Sequence, residues 1–299
     1  MQNRRISADL HVHRNCPGND SSRSPKEICQ LAIRKGIRAI SILSHDTVAG
    51  ISESREIAES HDLIYIPGIE ISVIDQGYNL HIHGYGIQED NGQLIGELSW
   101  IAKARQKRMR TACENLWRIH GIRISFEDVV ARTVGSSKGI HLDTLILTKA
   151  TLKVLLIERG YVPNPKDDLQ GFRKEYDRIL DDETLLPKQT ISFKKAAQII
   201  HQAGGIVVAS HLAGGKSPTR TPSFQDIQQW KKEGLDGIEI YHPDHDENGI
   251  RTLLDIAQEL DLVITGGSDD HGDMKPEGAE VGSFGLTQEE FRLFFQYLN

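Results

Sequence analysis

Asp9-Leu10-His11-Val12-His13 sets two imidazoles one residue apart. On a strand, alternate side chains share a face, so His11 and His13 form a chelating pair at one strand end. Further apolar runs carry or end in metal-competent groups: His45, Glu70, His211, and Asp269 with His271. The run Leu80 to Ile87 offers His81 and His83 on one face, so either could be its ligand. With Asp20 from the loop after the first run, the supply is six histidines, two aspartates and one glutamate. Nine donors exceed the needs of one ion. Mixed imidazole and carboxylate sets suit Zn, Mn or Fe, so two or three divalent ions are expected, with Glu70 able to bridge two. Such a cluster would acidify a bound water, supply hydroxide near neutral pH and polarise phosphoryl oxygens. No side-chain nucleophile is then required. The chain has no G-x-S-x-G motif, and Cys16 sits in a loop without an evident activating partner.

The elements that must hold these groups follow from the same runs. Ile6 to His13, Ile37 to His45, Leu63 to Ser72, Leu80 to Ile87, Gly205 to His211, Gly237 to His242 and Leu262 to His271 are short and bounded by Gly, Pro or Asp. Each reads as a buried strand. Helical patterns separate most of them: Lys26 to Lys35 behind Ser24-Pro25, Val48 to Ser60, Ser192 to Ala203, Ser223 to Glu233 and Glu247 to Leu260. The alternation predicts parallel βα units, whose functional side chains gather at the C-terminal strand ends. From about Gly92 to Gln189 the alternation stops. Leu94 to Gly121 reads as one long helix with Arg105, Lys107, Arg108 and Arg110 clustered. Ser125 to Arg132, Leu142 to Arg159 and Leu169 to Asp181 read as helices after it. The expected organisation is a core of residues 1–91 and 190–299 with a helical insertion at 92–189.

Bulk properties narrow the chemistry. The net charge is −7, which supplies no global field to gather nucleic acid. A phosphorylated substrate held by local cations remains compatible with it. Three irregularly spaced cysteines predict no disulfide framework, and the polar N-terminus lacks a signal-peptide core, so a cytoplasmic protein without a membrane span is expected. No obligate protein partner is evident. His61, His120 and His201 fall in helical patterns and read as ordinary histidines. Asp46 reads as a supporting or strand-capping group. Gly214-Gly215-Lys216-Ser217 lacks the upstream glycine of a phosphate loop and reads as a plain loop.

Six ordered motifs resemble the PHP (polymerase and histidinol phosphatase) superfamily: Asp9 to His13, Ser44-His45-Asp46-Thr47, Gly68 to Ser72, His81-Ile82-His83-Gly84-Tyr85, Ala209-Ser210-His211 and Gly267 to His271. The resemblance implies a distorted (β/α)7 barrel, with the helical insertion between strands four and five. It implies one ion held by His11, His13, Glu70 and Asp269, a second by Glu70, His81 and His211, and a third by Asp20, His45 and His271. It selects His81 over His83. The insertion is similar to that of a nucleotide-directed branch. Members of this branch act on nucleoside 3′,5′-bisphosphates, 5′ ends of short RNA, or cyclic phosphates of phosphorylated ribose. On that pattern Arg105, Arg108, Lys138, His141 and His245 would contact substrate, and the partner would be a small phosphorylated compound, nucleotide or short oligonucleotide. The chain departs from the branch in a longer loop between His13 and Pro25, in Leu212 where a proline is usual, and in Gly139 where an Arg is usual. Lys138 beside it cannot supply a bidentate guanidinium. Histidinol phosphatase and a noncatalytic metal-binding module are the alternatives. The insertion argues against the first, and nine competent ligand positions argue against the second.

Overall fold

A computed structural model of the protein describes residues 4–15, 21–135, 142–181, 183–213, 222–275 and 278–299. The chain divides into two compact units, Met1–Cys16 with Ser21–Glu97 and Ile191–Asn299, and Pro17–Asp20 with Leu98–Thr190.

The first unit is mixed α/β. Its strands are β1 (Ile6–His13), β2 (Ala39–Leu43), β3 (Ile64–Tyr65), β4 (Gly68–Asp75), β5 (Tyr78–Tyr85), β6 (Ile206–Ala209), β7 (Gly237–Tyr241), β8 (Val263–Gly266) and β9 (Leu286–Thr287). They form two sheets, ordered β3-β2-β1-β9 and β4-β5-β6-β7-β8. Pairing is parallel for β1–β2, β2–β3, β6–β7 and β7–β8, and antiparallel for β1–β9, β4–β5 and β5–β6. Isolated parallel bridges at Val12–Asp270 and His45–Glu70 tie the sheets near the ends of β1 and β2. Leu10, Val12, Ile40, Ile69, Ile82 and Ile238 are fully buried in the core.

This differs from the expected distorted (β/α)7 barrel: among the described residues no continuous ladder closes the two sheets into one. Two local features explain the difference. The expected strand Leu63 to Ser72 breaks at Pro67. The Ile66 N–H still donates to Ile40 O at 2.9 Å, but proline has no N–H with which to continue the ladder. The chain therefore leaves the first sheet as β3 and enters the second as β4. Next, Asp75 and Tyr78 pair directly across Gln76-Gly77, whose φ values are 47° and 84°. Two left-handed residues make the tight turn whose twist matches a β-hairpin, so β4 and β5 are antiparallel neighbours rather than a βα crossover.

Helices of the first unit are α1 (Pro25–Arg34), α2 (Ile51–Glu59), the start of α3 (Gly92–His120), and, beyond the second unit, α7 (Phe193–Gln202), α8 (Phe224–Lys232), α9 (Glu247–Glu259) and α10 (Gln288–Leu298). Ser24 and Glu27 form a reciprocal capping box on α1 with Pro25 in its first turn, which satisfies two otherwise orphaned N–H groups. The terminal helix α10 and strand β9 carry no counterpart in the sequence reading. Phe294 of α10 is buried and meets Tyr85 edge to face at 5.6 Å.

The second unit is helical. It holds most of α3, then α4 (Phe126–Val134), α5 (Lys149–Glu158) and α6 (Leu169–Ile179), around a core that includes Leu116, Val129, Leu152, Leu156 and Ile179. The single helix expected over Leu142 to Arg159 is interrupted. A 3-10 turn at Leu142–Thr144 gives way to extended chain, and the Thr148 hydroxyl caps α5 by accepting from Thr151 N–H. A threonine that satisfies the free N–H groups of a helix start favours beginning a new helix there.

Candidate metal centre

β1 supplies three inward groups in register, Asp9, His11 and His13, all fully buried. Asp9 acts as a backbone staple. Its Oδ1 accepts from the N–H groups of His11 (3.3 Å) and Ser268 (3.0 Å), and its Oδ2 from Gly282 N–H (2.7 Å). Burial lifts its pKa to about 6 against these bonds. The segment after β8 runs so close to β1 that a Cβ on Gly267 would lie 2.3 Å from both the His11 nitrogen and its Cβ. Only glycine permits that approach.

Glu70, 1% exposed on β4, is the hub. Its Oε1 lies 2.7 Å from His81 Nδ1, 3.5 Å from His211 Nε2 and 3.7 Å from His83 Nε2. Its Oε2 lies 3.1 Å from His45 Nδ1, 3.2 Å from His13 Nε2 and 3.8 Å from His11 Nε2. A second carboxylate, Asp269, faces the same group. Its Oδ1 is 3.2 Å from His13 Nε2, 3.3 Å from His11 Nε2 and 3.5 Å from His271 Nδ1. Its Oδ2 accepts from Lys275 Nζ at 2.7 Å and lies 3.5 Å from His242 Nε2. Asp46, His211 and Asp269 adopt left-handed φ values of 54°, 38° and 51°. Such residues cost roughly 1–3 kcal/mol each and persist where the surroundings over-determine them. Asp46 shows how: its Oδ1 accepts from Ser72 N–H at 2.7 Å, and its own N–H donates to Glu70 O at 2.8 Å.

Electrostatics divide the histidines. Burial disfavours charge on His13, but hydrogen bonds to Asp269 and Glu70 outweigh it and lift the imidazole to about 9. His11 and His211 are raised in the same way against burial, His11 by Glu239 and Asp269, His211 by Glu70. Burial wins at His81 and His83, which fall to about 4. Burial opposes ionisation of Glu70 and Asp269, yet the surrounding imidazoles hold both well below the usual carboxylate range.

The donor set fits divalent cations. His11 Nε2 and His13 Nε2 stand 3.1 Å apart beside two carboxylates. Glu70 Oε2 is buried among the nitrogens of His45, His13 and His11, and His242 Nε2 is buried beside Asp269 Oδ2. Five groups of three residues each bring their ligand atoms within 4.8 Å of one another: His13/His45/His271, His11/His13/Glu70, His11/His83/Glu239, His11/His242/Asp269 and His45/Glu70/His81. Buried lone pairs crowded this closely need a proton or a metal between them.

Of the residues singled out from sequence, His11, His13, His45, Glu70, His81, His211, Asp269 and His271 come together here. Asp20, Lys138, Gly139 and His141 lie outside the described residues. Arg105 and Arg108 sit on α3 in the second unit, where the Arg108 Nε–H donates to Leu186 O. His245 is 5% exposed and spends both ring nitrogens on backbone: Nδ1–H donates to Ile240 O at 2.8 Å and Nε2 accepts from Ala213 N–H at 3.2 Å. Sequence reasoning missed Glu239 and did not count His242. The available signal was an acid inside the apolar run Gly237-Ile-Glu-Ile-Tyr241, because a carboxylate on a buried strand requires a partner.

Strand-end imidazoles and carboxylates on an α/β scaffold are the build of a metal-assisted hydrolase. A family model described as the PHP domain matches residues 9–275, and the chain belongs to that family. It is 26% identical over 269 residues to a phosphoribosyl 1,2-cyclic phosphate 1,2-diphosphodiesterase from Eggerthella lenta, covering 88% of this chain and 94% of the relative. It is also 26% identical over 267 residues to a 5′-3′ exoribonuclease from Haemophilus influenzae, covering 88% and 89%. Among solved structures, one described as a metal-dependent phosphoesterase from Bifidobacterium adolescentis superposes with a TM-score of 0.82 at 25% identity, covering 97% of this chain and 96% of that one. The chain is thus a hydrolase of the phosphoesterase type. No helix among the described residues is long and apolar enough to cross a membrane.

Proposed function

We propose that the protein hydrolyses a phosphate ester of a small phosphorylated nucleotide or ribose compound, using two or three divalent ions. The observation that carries the reading is Glu70, a buried carboxylate with imidazole nitrogens of six histidines within 4 Å. His11, His13, Glu70 and Asp269 would hold one ion, Glu70, His81 and His211 a second, and His45 and His271, with Asp20, a third. When bound, the ions supply Lewis acidity: they acidify water and take up negative charge on phosphoryl oxygens.

The chain's own residues grade from floor to rim. The side chains of His11, His13 and Glu70 are at most 1% exposed, His271 and His45 are at 10% and 13%, and His81 and His211 are both at 30%. An incoming ester therefore meets His81 and His211 first. The Lys275 ammonium, 42% exposed and 2.7 Å from Asp269 Oδ2, carries a charge suited to a phosphoryl oxygen. Relatives at this identity are named for different substrates, so the ester class stands as part of the proposal. Substrate contact by Arg105, Arg108, Lys138 and His141 is a separate proposal, testable by the KM of each alanine variant, whereas the ring of His245 is buried and bonded to backbone.

The test is a screen of protein loaded with Mn, Zn or Fe against nucleoside 3′,5′-bisphosphates, cyclic ribose phosphates, 5′-phosphorylated oligoribonucleotides and histidinol phosphate. Metal-dependent release of phosphate, or ring opening, on one of the first three is expected. Selective turnover of histidinol phosphate, or no turnover of any, overturns the proposal.

A further inference from the structure

Glu239 belongs to none of the expected ligand sets. It sits in the middle of β7, fully buried. Both its oxygens are engaged. Oε1 accepts from His11 Nδ1–H at 2.9 Å, and Oε2 accepts from the backbone N–H of His211 at 3.0 Å. The two partners come from different sheets. His11 lies on β1 of one sheet, and His211 stands two residues past the end of β6 of the other. On the reading given above they also serve different ions.

We propose that Glu239 is a positioning residue that aligns ligands of two ion sets at once. Its contact with Nδ1 fixes the His11 tautomer that carries hydrogen there. The Nε2 lone pair then faces Glu70 and Asp269, the side on which ligand atoms converge. An imidazole ligand oriented through its other nitrogen by a carboxylate is a recurrent way to fix ring angle and raise ligand basicity. The second oxygen acts through backbone. His211 has a φ of 38°, a conformation that its side chain does not favour. A charge-assisted bond to the N–H at that turn holds it, and with it the direction of the imidazole whose Nε2 lies 3.5 Å from Glu70. Each oxygen of Glu239 already holds one ligand in place, His11 through its ring and His211 through its backbone, which is the part of a support for the ligands.

Glutamine at this position separates the possibilities. It matches the shape of glutamate but offers one acceptor oxygen and one donor NH2. It can serve His11 Nδ1–H or His211 N–H, never both. The inference rests on the reading that His11 and His211 bind metal, so the experiment begins with that reading. Wild-type protein and Glu239→Gln are titrated with Mn2+ and Co2+ under chelator competition, with ion content measured by elemental analysis and folding checked by circular dichroism. The Co2+ absorption spectrum reports ligand geometry independently of turnover.

The expected result is that a folded Glu239→Gln variant binds ions about 10–100-fold more weakly than wild type, with an altered Co2+ spectrum. Equal affinity and an unchanged spectrum in the variant, with wild type binding normally, overturn this inference and leave the proposed function standing. A wild-type protein that binds no divalent ion overturns both. If the glutamine variant does not fold, imidazole 15N NMR of zinc-loaded wild type decides. His11 must carry hydrogen on Nδ1, and a His11 resonance with hydrogen on Nε2 refutes the assignment.

Discussion

Glu70 gathers imidazoles from β1, from the end of β2, from β5 and from the segment after β6. Glu70→Gln keeps its volume and removes the charge that those groups share. Divalent-ion affinity should fall by more than about 100-fold, beyond the range of an outer partner, with a loss in kcat/KM at least as large. Elemental analysis and initial rates measure this, and wild-type ion content in the variant would refute the assignment. At this scale the sequence was most informative where a metal-competent residue closes an apolar run, as at His45, His211 and Asp269-Asp270-His271. It was silent where one residue type can play two parts. Asp9 and Glu239 are both buried acids near His11. One staples backbone, and the other meets an imidazole nitrogen as well as a backbone N–H, a distinction set by which strand lies opposite.

Helix starts were legible because their signals are local. Ser24 with Glu27 and Ser223 with Asp226 form capping boxes where the sequence places N-termini. Sheet membership was less legible because it depends on partners far along the chain. Pro67 and Gln76-Gly77 are the local cues to the break between β3 and β4 and to the hairpin, yet an apolar strand reads alike in parallel and antiparallel settings. Helix α7 carries a prediction of its own. Its His201 Nε2–H donates to Asp236 Oδ2 at 2.7 Å, and that oxygen also accepts from Val207 N–H at the start of β6. The bond to Asp236 raises the His201 pKa above 6.5. Folding therefore favours the charged imidazole. Its contribution is complete below about pH 6.5 and fades as pH rises through the folded-state pKa. The pair is partly exposed and screened, so the effect should stay under about 1 kcal/mol. Urea unfolding of wild type against His201→Gln should show a wild-type advantage at pH 6 that is absent at pH 9. A difference independent of pH would remove the ion pair from the account.

Each of the two units has its own buried apolar core. The centre lies in the first, and ions that bind only the folded form stabilise it by mass action. A free-ion concentration 100 times the dissociation constant adds about 2.7 kcal/mol. For a unit of this size that is roughly 5–10 °C in Tm. Calorimetry with and without chelator should move the transition of the first unit and leave that of the helical unit in place. A chelator that moves neither would count against resident ions. The first unit is also discontinuous in sequence, because Leu98–Thr190 intervenes between its halves. A ribosome therefore makes His11, His13, His45, Glu70 and His81 well before it makes His211, Asp269 and His271. The 130 positions from His81 to His211 take about 7–26 s at roughly 5–20 residues per second. During that interval β5 has its hairpin partner β4 but not β6, and its free edge is open to wrong pairing. The order of synthesis, rather than the finished geometry, sets the moment at which a nascent chain can first retain an ion.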